Sequence, residues 1–182
     1  AARAILRGVG GLLREQLERG VPPITLPADL RVTAATTTTA SSQTNLDDKG
    51  LLFHNGLGGF TPDGREYVTT VRGRDRPPAP WSNVLSNPEF GCLITEAGAG
   101  YTWAGNAQMN RLTPWSNDPV TDPPGEAVYL RDEETGEFWS PTPAPCGGAA
   151  TTIVRHGQGY TRFTQSSHGL DQELLVLVSP DG

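Results

Sequence analysis

The chain has 182 residues, 36% of them hydrophobic, with 22 glycines and 16 prolines. That composition disfavours a self-sufficient helical bundle and fits a turn-rich β protein. A net charge of -6 with no basic stripe excludes nucleic acid as the expected partner. No run is long and apolar enough to span a bilayer.

Residues 3–19 carry Ile5, Leu6, Val9, Leu12, Leu13 and Leu17 at helical spacing, with arginines and glutamates on the other faces. They predict a short N-terminal helix, stopped by Gly20 and Pro22-Pro23. Such a helix packs between domains or lies on a membrane surface. Residues 20–49 read as a connector, extended by prolines and then small and polar from Thr36 to Asn45, with Leu30–Thr33 as a short edge strand. A division follows: a helix and linker over 1–49, and a β domain over 50–182.

From Gly50 onward the pattern is that of short strands. Asn55-Gly-Leu-Gly-Gly59 lacks the spacing of a dinucleotide fingerprint, and its glycines suit a turn with positive φ or a close backbone approach. Thr61-Pro-Asp-Gly64 is a turn, and Tyr67–Val71 a strand. Trp81–Leu85 reads as a brief strand or turn. Cys92–Thr95 and Tyr101–Trp103 form a hairpin across Gly98-Ala-Gly100. Further strands are expected at Ala127–Arg131, Glu137–Trp139, Thr151–Arg155, Tyr160–Phe163 and Glu173–Val178. Eight or nine such strands joined by Gly/Pro turns predict a mainly β, antiparallel sandwich.

Chemistry concentrates between Tyr101 and Asp118. Three of the four tryptophans fall between Trp103 and Trp139, interleaved with Asn106, Asn110, Arg111, Thr113, Asn117 and Asp118. Indole faces stack on the C–H face of a pyranose, and amide, guanidinium and carboxylate groups hydrogen-bond its hydroxyls. The alternative is a loop whose aromatics only pack on a core. Asp118, Asp122 and Glu126 have the look of paired glycosidase carboxylates, yet they sit in a Pro/Gly loop where carboxylates cap turns. His54, His156 and His168 are too scattered for a metal motif, and Ser166-Ser-His168 is no nucleophile signature. Cys92 and Cys146 are expected as two thiols in a reducing compartment. No catalytic residue, metal site or cofactor is assigned.

Several ordered runs carry a resemblance over residues 50–178. They are Asn55-Gly-Leu-Gly-Gly-Phe-Thr-Pro-Asp-Gly-Arg-Glu-Tyr67, Pro78-Ala-Pro-Trp-Ser-Asn83, Gly100-Tyr-Thr-Trp-Ala-Gly-Asn106, Asn110-Arg-Leu-Thr-Pro-Trp-Ser-Asn-Asp-Pro119, Tyr129-Leu-Arg-Asp132, Trp139-Ser-Pro141 and His156-Gly-Gln-Gly-Tyr160. Together they resemble the phosphorylase-like region of cyclic β-1,2-glucan synthases and, more distantly, the N-terminal domain of cellobiose and chitobiose phosphorylases. The resemblance implies part of a large, mutarotase-like super-sandwich. It also implies an accessory role beside an (α/α)6 barrel that carries the aspartate general acid, so no carboxylate of this chain inherits that role. The implied parent uses inorganic phosphate as co-substrate, acts on β-1,2-glucan or its oligosaccharides, and works at the cytoplasmic side of the bacterial inner membrane. The fragment itself is expected to be soluble. In the related phosphorylases this domain contributes to a homodimer and lends a loop to the substrate cleft. The matching loop here is Asn106–Asp118, with Asn106, Asn110, Arg111, Thr113 and Trp115 as the expected substrate contacts. It departs from the family at Asn110, where phosphorylases carry arginine, and over Gly105–Met109. A purely scaffolding or dimerisation domain is the competing expectation.

Overall fold

A computed structural model describes Leu12, Arg14, residues 50–73 and residues 75–180. The expected helix over 3–19, the connector over 20–49 and the strand Leu30–Thr33 otherwise lie outside the described residues. All the described strands belong to one compact unit, Thr33–Gly182.

The strands follow in chain order: β1 (Gly58–Phe60), β2 (Glu66–Arg72), β3 (Ser82–Ser86), β4 (Phe90–Thr95), β5 (Gly100–Ala104), β6 (Leu130–Arg131), β7 (Phe138–Trp139), β8 (Thr151–Gly157), β9 (Tyr160–Ser167) and β10 (Leu170–Leu177). They form a five-stranded sheet in the order β1-β2-β8-β9-β10, a three-stranded sheet β3-β4-β5 and a ribbon β6-β7. Every pairing is antiparallel.

Side-chain alternation explains how the two larger sheets face each other. Val71 of β2, Val154 of β8 and Phe163 of β9 fall on one face of the larger sheet. Leu85, Cys92 and Ile94 of the smaller sheet meet them in a single core, with Leu174, Val176 and Val178 packed alongside. Polar side chains tie the layers together at the edge of this core. The Asn83 amide donates to the carbonyls of Gly157 and Tyr160, both at 2.9 Å. His156 Nε2 lies 3.1 Å from the Trp81 carbonyl, and Nδ1 lies 3.0 Å from Thr161 Oγ1. A carbonyl only accepts, so Nε2 carries the proton and Nδ1 accepts from the threonine. Burial lowers the pKa of His156 and so favours the neutral ring, against the opposing hydrogen bond to Trp81. His156 is therefore a structural link between sheets.

Two glycine positions show what the Asn55–Gly59 run does. Gly56 adopts φ +92°, which turns the chain. Gly58 approaches β2 so closely that a Cβ would lie 2.4 Å from the Val68 carbonyl. The run is thus both a turn and the short strand β1, which its glycines had concealed. At the other edge, β9 and β10 are joined by His168-Gly169, with φ +54° and +73°. That pair of positive angles makes a type I′ hairpin turn, whose twist matches the flanking strands. The expected strand Ala127–Arg131 shrinks to Leu130–Arg131, because Ala127, Val128 and Tyr129 are exposed and have no paired neighbour.

Cys92 and Cys146 are both free thiols, and burial raises the pKa of Cys92. Among the described residues no helix is long and apolar enough to cross a membrane.

Candidate functional site

The Tyr101–Asp118 segment leaves β5 and folds back along it. At Gly105 the chain turns with φ +65°. Asn106 Oδ1 then accepts the amides of Gln108 and Met109, both at 2.9 Å, which closes an Asx turn. The Asn110 carbonyl accepts the Ala104 amide at 3.1 Å. This brings Arg111 into a backbone bridge with Trp103. Thr113 Oγ1 accepts the Thr102 amide at 2.8 Å, and Leu112 N–H donates to the Thr102 carbonyl at 2.9 Å. The side-chain oxygens of Asn106 and Thr113 are thus engaged in holding the loop.

Three aromatic rings cluster here. Tyr101 lies 5.2 Å from Trp103, whose indole fills the space above Gly91. Tyr101 also stacks on Trp115 at 4.6 Å and 11°. The Arg111 guanidinium sits 5.8 Å from the Trp115 ring centre, a cation–π distance. Its Nε donates to the Ala107 carbonyl at 3.3 Å. Trp103 and Tyr101 are buried, Trp115 is half-buried, and Asn110 and Arg111 are exposed. The Asn110 side-chain amide makes no hydrogen bond among the described residues. Of the five expected contacts, Arg111 lies over the partly exposed Trp115 ring, and Asn110 is exposed. Asn106 and Thr113 shape the loop beneath them.

The three loop carboxylates have separate fates. Asp118 caps a turn: it accepts from the Thr121 hydroxyl at 2.6 Å and from the Val120 and Thr121 amides. Those hydrogen bonds, the hydroxyl foremost, hold its pKa below the usual value. Asp122 is half-buried and accepts from Thr95 Oγ1 at 2.7 Å, and burial outweighs that bond and raises its pKa. Burial also raises Glu126. Gly125 N–H donates to the Gly100 carbonyl at 3.2 Å and returns the loop to β5. Among the described residues no group of three His, Cys, Asp or Glu stands close enough to hold a metal ion.

Sequence reasoning missed Glu96, which is 2% exposed at the end of β4. The available signal was a lone charge between Cys92 and Ala99, a stretch otherwise fit for a core. Its Oε2 accepts the Trp81 amide at 2.7 Å. Burial is the main reason its pKa is raised. Asp122 adds to the rise, while the Trp81 amide and Arg76 oppose it. With the folded pKa above the unfolded value of 4.5, the native state holds the extra proton. The associated stability is fully present below that unfolded value and is lost as pH rises through the folded one. Glu96→Gln escapes this loss. Its stability relative to the parent, read from urea midpoints, should therefore improve between about pH 4 and pH 7. A pH-independent difference would show that the buried carboxylate carries no net cost.

The family model described as "Glycosyl hydrolase 94, supersandwich domain" matches residues 65–182. The chain is 34% identical over 186 residues to the cyclic beta-(1,2)-glucan synthase NdvB of Rhizobium meliloti (strain 1021), covering 98% of this chain and 7% of that protein. It is 38% identical over 116 residues to the N,N'-diacetylchitobiose phosphorylase of Vibrio furnissii, covering 62% of this chain and 14% of that protein. With the solabiose phosphorylase of Paenibacillus borealis it shares 30% identity over 132 residues, 69% of this chain and 16% of that protein. The chain thus spans only a small part of the curated relatives it matches. The ring stack and its loop sit within the matched region, and the chain belongs to the glycosyl hydrolase 94 supersandwich family.

Proposed function

We propose that this domain is an accessory, sugar-contacting part of a glycoside phosphorylase-like enzyme acting on β-1,2-glucan. It presents the Asn106–Asp118 loop to a cleft whose acid chemistry belongs to a separate helical barrel. The observation that carries the reading is the Tyr101–Trp115 stack with Arg111 at its face. The Trp115 ring offers a platform for the C–H face of a glucosyl unit. Arg111 and the Asn110 amide supply donors for its hydroxyls or for inorganic phosphate, the co-substrate of the proposed parent. The domain's own carboxylates are not assigned a catalytic role, since Asp118 is committed to its turn. The proposed parent works at the cytoplasmic face of the inner membrane, and a homodimer is compatible with the domain's place in it.

Tryptophan fluorescence during titration with β-1,2-glucooligosaccharides tests the contact. Arg111→Ala should weaken binding by about 1–2 kcal/mol, roughly tenfold, with little change in unfolding midpoint, and Trp115→Ala should weaken it similarly while also lowering the midpoint through the lost stack on Tyr101. In a chain that includes the barrel, Arg111→Ala should lower phosphorolysis more than it lowers stability. Equal losses of both would make Arg111 a structural residue. The engagement of Asn106 and Thr113 in the loop's own backbone favours a second reading, a scaffold without sugar contact. No fluorescence response at millimolar oligosaccharide would select it. Glucose 1-phosphate formation by this chain alone would overturn both readings.

A further inference from the structure

The returning part of the same loop, Pro119–Pro124, lines a cleft of about 490 Å³. That volume falls in the range of small-molecule sites. One wall is the segment Arg76–Pro80, the other is Pro119–Pro124, and Glu96, Ala144 and Pro145 complete the lining. Proline rings from three segments give it C–H surface. Its charged groups are Arg76, Glu96 and Asp122, brought together from distant parts of the sequence. Arg76 Nη2 donates to the Pro143 carbonyl at 3.3 Å, which holds the guanidinium against the lining.

Each carboxylate has one oxygen anchored and one without a partner. Glu96 Oε2 takes the Trp81 amide at 2.7 Å, and Asp122 Oδ2 takes the Thr95 hydroxyl at 2.7 Å. Among the described residues, Glu96 Oε1 and Asp122 Oδ1 accept no hydrogen bond. The Glu96 side chain is 2% exposed overall and lines the cleft. A ligand that brings hydroxyl donors and an apolar face would satisfy both oxygens and use the proline surface. Arg76 beside the carboxylates works against a metal or an amine, and the site lacks a third acidic ligand.

We propose that the Arg76–Glu96–Asp122 cleft is a second sugar subsite, with the two free carboxylate oxygens accepting from vicinal hydroxyls of a neutral glucosyl unit and Arg76 donating to it. The proposal rests on the reading of the domain as sugar-contacting, but it names residues separate from the ring stack. Asp122 follows Trp115 by seven positions on one loop, so that loop would contact two sugar units.

Amide-resolved NMR of the whole chain, titrated with β-1,2-glucotriose, separates the two sites. The amides of Trp81, Glu96 and Asp122 should shift. In Asp122→Asn, Glu96→Gln and Arg76→Gln those shifts should need at least about tenfold more sugar. The signals of Arg111 and Trp115 should titrate as in the parent. Shifts confined to Arg111 and Trp115 would overturn the cleft and leave the proposed function standing. Shifts confined to the cleft would do the reverse, and no shifts would remove both. Cleft shifts that persist unchanged in all three variants, or that Mg²⁺ alone produces, would also overturn the subsite. Each variant's dispersed spectrum reports its folding in the same experiment.

Discussion

Gly125→Ala is expected to unseat the loop that carries Trp115 and to cost about 2–4 kcal/mol of stability, combining overpacking with a lost hydrogen bond. A Cβ at this position would stand 1.9 Å from the Pro114 carbonyl oxygen and 2.8 Å from that of Gly100. Both obstacles are backbone, so neither moves aside as a side chain tip would. The clash falls where Gly125 N–H donates to Gly100 O, the point at which the loop rejoins β5. Relief requires that the 114–125 segment lift away, which separates Trp115 from Tyr101. Oligosaccharide response and urea midpoint should therefore fall together. Gly148→Ala is the matched control, because a Cβ there meets nothing within 4 Å. It should stay within about 0.5 kcal/mol of the parent. A Gly125→Ala protein that matches this control in both measurements would show that the close approach is not needed.

Phe163→Ala should be the most destabilising single change, at about 3–5 kcal/mol. Phe163 is 0% exposed, at the centre of the cluster where Val71 and Val154 meet Leu85, Cys92 and Ile94. Removing its ring takes away buried area and leaves a cavity between two sheets, each held by its own ladder. The sheets are further tied by Asn83 and His156, so collapse onto the cavity would strain those bonds. Such a loss is a large share of the roughly 5–15 kcal/mol that keeps a domain folded. Leu175, on the opposite face of β10 and 44% exposed, provides the contrast. Leu175→Ala should cost less than about 1 kcal/mol. Urea unfolding of the two variants tests the inward and outward assignment. Equal costs would contradict it.

The strands rich in β-branched and aromatic residues were legible in the sequence. Tyr67–Val71, Cys92–Thr95, Thr151–Arg155 and Tyr160–Phe163 all lie inside observed strands, because β-branched and aromatic residues bounded by Gly/Pro turns favour extended pairing. β1 was hidden because its glycines serve a close backbone approach, and local propensity scores that as a turn. Ala127–Tyr129 misled in the opposite direction, since β-forming residues there find no strand to pair with.

For the site, residue types identified the Tyr101–Asp118 stretch as chemically unusual. They did not say which polar groups face outward. That depends on Asx turns and on the Thr102–Thr113 contact, which spacing alone does not encode. Glu96 escaped notice because its partners, the Trp81 amide and Asp122, come from segments far from it in the chain.

The stacking of Tyr101 on Trp115 has an optical consequence. Two aromatic transition dipoles held at 4.6 Å and 11° couple to each other, and excitation passes from the phenol to the indole. Tyr101 is fixed in a strand and Trp115 in the returning loop, so the coupling exists only while the loop is seated. Near-ultraviolet circular dichroism therefore gives this protein a built-in gauge of loop position, whereas energy transfer does not, because Trp103 lies 5.2 Å from Tyr101 on the same strand. The gauge needs no added label and can be read during binding, heating or a pH change.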